Sequence, residues 1–460
     1  MEPIRVVGGG LAGSEAAWQA AERGHRVVVY EMRPGRSTGA HIGGGLAELV
    51  CSNSLGSQLP DRASGMLLAE LEQLGSLLAE CARYTAVPAG GALAVDRQAF
   101  SDCVTRRLLE HPGIELVREE VKRIPEGVVV IASGPLTSER LAAELMRVSG
   151  EENLYFFDAI SPIVEAGSVD RSIVFRDSRY GRGLSEQGDY LNCPMSRAEY
   201  EQFVEALLGA ERIPLRSFES AIQAGVRAGA DRYFEACLPI EILAERGERS
   251  LAYGPLRPVG LMDPRSRSRP YAVVQLRQDD LAGSLYNLVG FQTNLKFPEQ
   301  RRVFRMIPGL QSAQFARYGQ MHRNTFLNSP RLLRASLEVR SRSGLLLAGQ
   351  ITGVEGYLGN IGTGLLAGMN AARLMDGEPA LVLPSETMLG ALCNYVSQAD
   401  SGSFQPMKAN FGILPPLSSV GKLDRRGRAR AMVERGAAAL QALDLGSKEE
   451  LRIATHGVTT

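Results

Sequence analysis

Three glycines near the N-terminus lie between a short apolar run and a segment with helical character. Residues 4–7 (IRVV) predict a strand, GGGLAG follows, and SEAAWQAAERG predicts a helix that ends at Gly24. HRVVVYEMRP then predicts a second strand that ends in Glu31. A strand, a glycine turn, a helix and a second strand in this order predict a βαβ unit, so this part of the chain should form an α/β fold around a parallel sheet.

The spacing of the glycines, Gly8-x-Gly10-x-x-Gly13, indicates a specific chemistry for the turn. Gly8 can form the tight turn, Gly10 lets a pyrophosphate approach the backbone, and Gly13 lets the helix pack against the strand. The N–H groups at the start of the helix then face the phosphates, and Glu31, eighteen positions after Gly13, can accept hydrogen bonds from ribose hydroxyls. The alternative is a tight turn without a ligand. The pattern predicts a dinucleotide site formed by Gly8, Gly9, Gly10, Leu11, Ala12, Gly13 and Glu31.

Two later segments indicate which dinucleotide binds. Residues 127–137 (GVVVIASGPLT) predict a strand followed by a glycine-proline turn, and residues 344–374 predict a strand, a glycine-rich turn and a helix of small residues. A chain that binds an extended flavin dinucleotide must return late to close over the flavin end, whereas a domain that binds only NAD does not need this return. We therefore predict FAD as the cofactor, with further contacts from Gly134, Gly349, Gln350 and Gly353.

The length of 460 residues exceeds what one hydrophobic core usually serves, so two domains, or one domain with an insertion, are expected. We predict a Rossmann-like α/β FAD-binding domain of the two-dinucleotide-fold type, formed by residues 1–150 and 331–460. Strand-like runs such as YAVVQL, mixed with helices at 197–208 and 298–306, predict an inserted α+β substrate domain at 151–330.

Acidic and basic residues balance, with 51 of each kind, so the net charge neither supports nor excludes a nucleic-acid partner. Residues 418–436 predict a basic helix, for which a solvated surface role is the simplest interpretation. Its basic residues include Lys422, Arg425, Arg426, Arg428 and Arg430. The N-terminus enters a strand directly, and no run of about eighteen apolar residues is present. We therefore expect no membrane segment and a cytosolic protein.

Six cysteines are scattered without a C-x-x-C pair, and the five histidines lack metal-ligand spacing, so neither a disulfide framework nor a metal site is expected. Cys51 stands apart because its neighbours in ELVCSNSLG are small and polar. Cys237, beside Phe, Ala and Leu, would on its neighbours alone be a small buried hydrophobe. A structural role is expected for Cys81, Cys103, Cys193 and Cys393.

Eight spaced segments make the chain resemble, over nearly its full length, the folate- and FAD-dependent tRNA (uracil-5-)-methyltransferases of the TrmFO family. The segments are VVGGGLAGSEAAWQAAERG with YEMRP (6–34), AELVCSNSL (47–55), VPAGGALAVDR (87–97), DYLNCPM (189–195), YFEACLPIE (233–241), GFQTNLKFPEQ (290–300), YGQMHRNTFLNSPRLL (318–333) and EGYLGNIGTGLLAGMNAA (355–372). One such match could arise by chance, but eight in the same order are highly specific.

The resemblance implies a reductive methylation of C5 of uridine 54 in the T-loop of tRNA. 5,10-Methylenetetrahydrofolate would provide the carbon, and FAD reduced by NADH or NADPH would provide the electrons. C5 of uracil is a poor nucleophile until a group adds at C6, and a thiolate suits this addition. The family cysteine assigned to that attack matches Cys237, and a second cysteine, placed near the flavin and also needed for activity, matches Cys51.

The resemblance also implies contacts with RNA. The target uridine is packed inside the folded tRNA, so its base must be extruded into a pocket over the flavin. Phosphate contacts should supply most of the affinity. The basic helix then becomes a candidate phosphate contact, and the other candidates are Lys296, Arg317 and Arg323.

Three other functions remain open from the sequence. The first is modification of the wobble uridine of tRNA, by a neighbouring flavoprotein family that has a similar AGQ turn but a longer chain. The second is methylation of a ribosomal RNA uridine, and the third is flavin and RNA binding without catalysis, against which the presence of both Cys51 and Cys237 argues. No base for the C5 proton is identified, although Glu235 and Glu241 flank Cys237 and His322 is the best-placed imidazole.

Overall fold

The computed structural model describes residues 2–36, 38, 40–150, 154–181, 188–213, 238–417 and 423–443, and of residues 149, 154–159 and 321–323 it describes the backbone alone. The strands are β1 (Ile4–Val7), β2 (Val27–Tyr30), β3 (Ser54–Ser57), β4 (Ala86–Val87), β5 (Ala92–Val95), β6 (Ile114–Val117), β7 (Val129–Ile131), β8 (Leu154–Ala159), β9 (Ile163–Glu165), β10 (Phe175–Asp177), β11 (Tyr190–Met195), β12 (Ala272–Gln278), β13 (Leu285–Leu288), β14 (Phe315–Arg317), β15 (Met321–Phe326) and β16 (Leu345–Leu347). The helices are α1 (Leu11–Glu22), α2 (Ala63–Gln73), α3 (Leu77–Tyr84), α4 (Arg97–Glu110), α5 (Glu139–Ser149), α6 (Arg197–Leu208), α7 (Ile240–Glu245), α8 (Ser250–Tyr253), α9 (Phe297–Phe304), α10 (Ser329–Leu332), α11 (Tyr357–Met375), α12 (Met388–Gln398) and α13 (Arg425–Gln441).

The first sheet has five parallel strands in the order β16-β7-β1-β2-β6. Its edge strand β16 and the neighbouring strand β7 are apolar and buried along their whole length, as expected of a parallel sheet. Helix α1 joins β1 to β2, which confirms the predicted βαβ unit. Strand β16 comes from the last third of the chain and completes the same sheet, so the late return of the chain is also confirmed.

Helix α11 packs closely against α1 because two of its glycines lack side chains. A Cβ atom at Gly364 would lie 2.2 Å from the carbonyl oxygen of Ala12, and one at Gly368 would lie 2.4 Å from that of Ala16. Any larger residue at either position would push the helices apart. This contact brings the start of α11 next to the N-terminal glycine turn.

A second sheet of six antiparallel strands has the order β10-β11-β12-β13-β9-β14. It has a hydrophobic core of its own, formed by residues between 164 and 313. The core around the first sheet instead draws on residues 4–145 and 326–440. The fold is therefore an α/β sheet whose chain is interrupted by an α+β segment, while the exact domain boundaries stay a prediction.

The structure also contains two smaller sheets and the helices predicted from the sequence. Strand β15 pairs with β8, and β5 lies between β3 and β4. The helices predicted at 197–208 and 298–306 are confirmed as α6 and α9. The basic helix is observed as α13, and residues 418–422 of the predicted segment, with Lys422, lie outside the described residues. No described helix is long and apolar enough to cross a membrane.

Candidate functional site

In the turn between β1 and α1, the three glycines of the Gly8-x-Gly10-x-x-Gly13 pattern have different roles. Gly8 has a φ of +108°, and a Cβ atom there would lie 2.4 Å from the carbonyl oxygen of Ala132. A Cβ atom at Gly13 would lie 1.8 Å from the carbonyl oxygen of Gly8. At Gly10, directly before α1, a Cβ atom would meet nothing within 4 Å. Gly8 and Gly13 therefore serve the packing of the turn, whereas Gly10 leaves open space for a ligand.

Glu31 is a buried carboxylate directly after β2. Its Oε2 accepts the N–H of Gly9 at 2.9 Å, and its Oε1 accepts the N–H and the Nε–H of Arg33 at 2.9 and 3.0 Å. Burial by itself raises the pKa of Glu31, but the guanidinium of Arg33 and these hydrogen bonds outweigh it and lower the pKa. The carboxylate is therefore ionised at neutral pH.

Arg33 connects this carboxylate to the loop that follows the second strand. Its guanidinium also donates to Glu48 Oε2 at 2.9 Å and to the carbonyl oxygen of Gly45 at 3.1 Å. Sequence reasoning selected Glu31 but missed Arg33 and Glu48. The signal was present for Arg33, which stands in the matched YEMRP segment.

A cleft of about 740 Å³ lies between the glycine turn, the loop after β7 and the turn after β16. Gly134 and Gly349 have φ angles of +68° and +79°, which favour glycine and leave this part of the wall without side chains. The predicted contacts that line the cleft are Gly8, Gly10, Leu11, Ala12, Glu31, Gly134, Gly349 and Gln350. A helix N-terminus, bare backbone and an ionised carboxylate together fit the pyrophosphate and ribose of FAD.

Three predicted contacts, Gly9, Gly13 and Gly353, are not among the residues that line the described cleft. Gly9 instead donates its N–H to Glu31. Gly353 has a φ of +82°, and a Cβ atom there would lie 2.6 Å from Cζ of Phe404. Packing and backbone conformation thus account for these glycines, and their contact with FAD stays a prediction.

A second cavity, of about 1090 Å³, adjoins the cleft and includes Cys51 in its lining. This thiol pocket is lined by Val50, Cys51, Ser52, Ser54, Leu55, Gly56, Ser64, Leu67, Pro135, Asn324, Gln350, Glu355, Gly356, Tyr357, Leu358, Gly359, Asn360, Lys408 and Ala409. The residues that also line the cleft form a shared wall: Val50, Pro135, Gln350, Tyr357 and Asn360. A group in the thiol pocket therefore lies next to any ring that extends from the cleft along this wall.

Backbone hydrogen bonds hold Cys51 at the start of α11. The N–H groups of Cys51 and Ser52 donate to the hydroxyl of Tyr357, the first residue of α11, at 2.9 and 3.1 Å. The carbonyl oxygen of Cys51 accepts from Arg97 Nη2 at 3.3 Å. Burial, together with the nearby Cys51, raises the pKa of the Tyr357 hydroxyl, so the phenol stays protonated. Hydrogen bonds between its backbone and the side chains of Tyr357 and Arg97 thus hold the half-buried Cys51 in place.

Two largely buried arginines connect the segment before β3 to the second sheet. Arg277, on β12, donates to Asn53 Oδ1 at 2.8 Å and to Ser52 Oγ at 2.7 Å. Burial lowers the pKa of Arg277. Arg97 forms an ion pair with Asp279 at 3.1 Å. The inserted segment therefore contributes directly to the wall behind the thiol pocket.

The other predicted thiol, Cys237, lies in residues 214–237, outside the described residues, and Glu235 lies there too. The side chains of His322 and Arg323 are likewise not described. The assignment of Cys237 to the attack on C6 therefore stays a prediction.

Glu241, which follows that segment, has structural partners. It is buried, and its carboxylate accepts the hydroxyl of Thr293 at 2.9 Å and the N–H of Asn294 at 2.7 Å. Burial raises the pKa of Glu241 above its usual range, and the hydrogen bonds oppose this only in part. These contacts serve the fold of the second sheet and place no part of Glu241 in the described thiol pocket.

The remaining described cysteines lie in the hydrophobic interior. Cys81, Cys193 and Cys393 are buried, and Cys103 is half-buried with its Sγ 2.9 Å from Sγ of Cys81. Burial raises the pKa of Cys393 to about 12. Among the described residues, no three His, Cys, Asp or Glu side chains are grouped as a metal would require.

The candidate phosphate contacts lie in different surroundings. Arg317 is half-buried and donates to the carbonyl oxygen of Ala40 at 3.1 Å, and Lys296 is exposed but paired with Glu211 at 2.5 Å. Helix α13 lines a groove of about 1410 Å³ together with Arg62 from the start of α2. The α13 arginines in that lining are Arg425, Arg426 and Arg428. Arg430 is exposed but not among the lining residues.

The parallel sheet with its glycine turn, the late return of the chain and the antiparallel insertion define the fold of an FAD-dependent oxidoreductase. Two crystal structures of Aquifex aeolicus GidA share this fold, each with a TM-score of 0.68 over 98% of this chain. The matched regions cover 75% and 78% of the two Aquifex chains, and the sequence identities are 16% and 18%. This likeness establishes the fold alone.

Sequence similarity is more specific. A family model described as glucose inhibited division protein A matches residues 3–379. A protein of Desulforudis audaxviator is 57% identical, with 92% of this chain and 93% of the relative covered. Proteins of Synechococcus sp. (strain JA-3-3Ab) and Geobacter sulfurreducens are each 55% identical, with 97% and 94% of this chain and 96% and 97% of the relatives covered. All three are named methylenetetrahydrofolate–tRNA-(uracil-5-)-methyltransferase TrmFO. The chain belongs to the TrmFO family, which confirms the resemblance seen in its motifs.

Proposed function

We propose that this protein methylates C5 of uridine 54 in the T-loop of tRNA. 5,10-Methylenetetrahydrofolate supplies the carbon, and NADH or NADPH reduces the bound FAD. The observation that carries this proposal is the wall shared by the cleft and the thiol pocket, which contains Gln350, Tyr357 and Asn360. This wall lets a pyrimidine beside a thiol lie against a ring that extends from the cleft. The names of the relatives agree with this reaction.

The chemistry assigned to the chain itself begins with a thiolate. Cys237 adds to C6 of the uracil, forms an S–C6 bond and moves the ring electrons to C5, so that C5 can bond to the one-carbon unit. The one-carbon unit leaves its two folate nitrogens in turn, the first as its bond to C5 forms and the second when a base removes the C5 proton, which releases tetrahydrofolate and leaves an exocyclic methylene at C5. Addition of a hydride equivalent to that methylene then completes the methyl group, and departure of the thiolate from C6 restores the C5–C6 double bond. The one-carbon unit at the formaldehyde level lacks two electrons relative to a methyl group, and reduced FAD supplies these electrons when it is bound.

The described residues have supporting roles in this proposal. Cys51 is the second thiol, and Tyr357 and Arg97 hold its backbone in the pocket. The largely buried Arg277 fixes the neighbouring Ser52 and Asn53. Glu31 and the glycine turn would hold the adenosine end of FAD in the cleft.

Binding of tRNA requires that the uridine leave its stacked position in the folded RNA. The energy for this step comes from contacts with the phosphate backbone, which basic side chains provide and which salt weakens. A cytosolic location, where tRNA and reduced nicotinamide nucleotides occur, is part of this proposal.

The test combines turnover with covalent trapping. Purified protein, 5,10-methylenetetrahydrofolate, NADPH and a T-arm minihelix should yield 5-methyluridine, whereas an anticodon-arm minihelix and a ribosomal RNA fragment should not be modified. A minihelix with 5-fluorouridine at the target should form a stable adduct, because fluorine cannot leave as the C5 proton does.

The trapping experiment also assigns the nucleophile. Cys237→Ser should abolish the adduct, and Cys103→Ser, at a half-buried cysteine outside the pocket lining, should leave it unchanged. Undiminished trapping by Cys237→Ser would assign the attack to another residue. Absence of 5-methyluridine from every RNA, with FAD bound, would refute the proposed reaction.

A further inference from the structure

Asn324, on β15, is fully buried, and its side chain has no hydrogen-bond partner among the residues that the structure describes. Within the described part of the chain, neither its amide nitrogen nor its amide oxygen has a partner. Buried polar groups are nearly always paired, and each unpaired group costs stability. Asn324 lines the thiol pocket and does not belong to the lining of the cleft. The lining that includes Cys51 therefore also includes a residue with an unpaired donor and an unpaired acceptor.

The position of Asn324 is fixed by its neighbour. The N–H of Thr325 donates to the carbonyl oxygen of Pro135 at 2.9 Å, and Pro135 belongs to the shared wall. The backbone of the strand beside Asn324 is thus tied to the shared wall.

Asn360 presents a second unpaired group in the same place. It lies in the first turn of α11 and lines both cavities, and its Oδ1 is buried without a partner among the described residues. Two asparagines with unpaired atoms therefore line the same pocket, on elements that are apart in the sequence.

We propose that Asn324, assisted by Asn360, binds the edge of a planar heterocycle that carries an N–H group next to a carbonyl oxygen. The amide oxygen accepts the ring N–H and the amide nitrogen donates to the ring carbonyl, so both unpaired atoms are satisfied at once. This inference rests on the proposed function, which supplies two rings with that edge apart from the flavin, whose dinucleotide is placed in the cleft that Asn324 does not line. Uracil has N3–H between two carbonyl groups, and the pterin of the folate has N3–H beside its C4 carbonyl.

The decisive variant is Asn324→Leu, which keeps the number and branching of the side-chain heavy atoms and has no polar atoms. Because it removes an unpaired buried amide, it should leave the melting temperature of the FAD-bound protein unchanged or raised. The dissociation constant of the ring bound at this site should rise about 10- to 100-fold, from the loss of two hydrogen bonds that only the ligand completes. A purely structural asparagine would give the opposite pattern, with a lower melting temperature and unchanged binding.

Two arms of the experiment distinguish the two rings. Tetrahydrofolate binding is measured by calorimetry on the FAD-bound protein. Binding of T-arm minihelices is measured with uridine or 3-methyluridine at the target, because the methyl group removes the N3–H donor. If uracil is the ring, the wild type prefers uridine and Asn324→Leu binds both alike. If pterin is the ring, only the tetrahydrofolate affinity falls.

Asn287→Leu is the matched control, because the amide nitrogen of Asn287 is also buried and unpaired but the residue lines neither cavity. It should change neither dissociation constant. The inference is overturned if Asn324→Leu retains both affinities, or if its only effect is loss of FAD. A wild type that forms no 5-methyluridine while Asn324→Leu loses ring binding would refute the proposed reaction and leave this inference intact.

Discussion

At the scale of single residues, Gly10 and Gly13 lie in one turn but need to be glycine for different reasons. A Cβ atom at Gly13 would overlap the carbonyl of Gly8, whereas one at Gly10 would enter open space in the cleft. The first is a requirement of the fold and the second is a requirement of the ligand. The two can therefore be separated by mutation.

We expect Gly10→Val to lose FAD while the polypeptide stays folded, because the new side chain occupies only the space needed for the pyrophosphate. Gly13→Val should fail to fold, since the backbone of Gly8 cannot move away. Flavin absorbance after purification and circular dichroism with a thermal melt check both results. A Gly10→Val protein that keeps its flavin would contradict the placement of FAD in the cleft.

The sequence predicted the glycine turn because its pattern is local, and it missed residues whose partners are distant. Tyr357 holds Cys51 through a hydrogen bond that spans 306 positions, and Arg277 reaches Asn53 across 224. Nothing in the neighbourhood of Tyr357 signals that its hydroxyl accepts two N–H groups. Asn324 stands in a matched motif, but its importance appears only when its burial and missing partners are known.

At the scale of elements, Glu70 couples helices α2 and α12. Its carboxylate accepts the N–H groups of Met388 and Leu389, the first two residues of α12, at 2.7 and 2.9 Å. A carboxylate at a helix N-terminus is favourable, but burial dominates and raises the pKa of Glu70 to about 7. The helix cap is therefore sensitive to pH near neutrality.

This pKa gives a prediction for stability. Between about pH 4.5 and 7 the folded protein holds a proton on Glu70 that the unfolded chain does not hold, so the contribution of Glu70 to stability falls as the pH rises. Relative to Glu70→Gln, the wild type should lose about 2 to 3 kcal/mol of unfolding free energy between about pH 5 and pH 8. Denaturant titrations measure it, with Glu72→Gln on the exposed face as control. Parallel pH curves for wild type and Glu70→Gln would contradict the prediction.

Helix α13 has a cluster of arginines near its N-terminus, which is unfavourable for an isolated helix. Arg425, Arg426 and Arg428 are exposed near its N-terminus, where the helix dipole disfavours cations, and none pairs with a described carboxylate. Their groove also contains Arg62 with its ion-pair partner Asp61, and it meets the thiol pocket at Ala409. A bound polyanion would offset the unfavourable charge and lie on the path to the pocket.

Replacement of the three groove arginines by Gln should weaken binding of the minihelix about 100-fold at about 0.1 M salt. The slope of log affinity against log salt should fall by roughly two, because each phosphate contact contributes about 0.7 to 0.9. The charge-matched control is Arg26→Gln with Arg106→Gln and Arg123→Gln, at exposed positions outside the groove lining. An unchanged slope in the groove variant would show that α13 is a solvent-exposed helix that does not contact phosphates.

At the scale of the whole molecule, the two sheets are joined through the segment that carries Cys51. Arg97, the first residue of α4, and Asp279, directly after β12 of the second sheet, form an ion pair with side chains only 13% and 5% exposed. Arg97 also donates to the carbonyl oxygens of Leu49 and Cys51. The pair therefore serves both the association of the sheets and the position of the thiol.

Asp279→Asn should cost about 3 to 5 kcal/mol of unfolding free energy, because Arg97 is then buried without a counter-charge. The double variant Arg97→Met with Asp279→Leu should recover much of that stability. It should not recover methylation, since the carbonyl of Cys51 has lost its donor. Urea unfolding and the 5-methyluridine assay measure the two effects, and equal recovery of both would show that Arg97 acts only on stability.

The overall architecture followed from the sequence where the order of elements determines it. The βαβ start at residues 4–31 and the strand, turn and helix at 344–374 predicted that both ends of the chain contribute to one α/β unit, and the structure places strands from both ends in the first sheet. The strand order of the inserted sheet was not predictable, because antiparallel pairing allows many orders for short strands of similar composition. The contacts of Arg97 and Arg277 depend on that order and were missed with it.

The shared wall couples the evolution of the two cavities. It consists of Val50, Pro135, Gln350, Tyr357 and Asn360. Each of these side chains faces two cavities, so one substitution alters both. A substitution at any of these five positions therefore changes cofactor affinity and substrate specificity together. A lineage that acquires a new substrate must either keep this wall or change it together with the way it holds its dinucleotide.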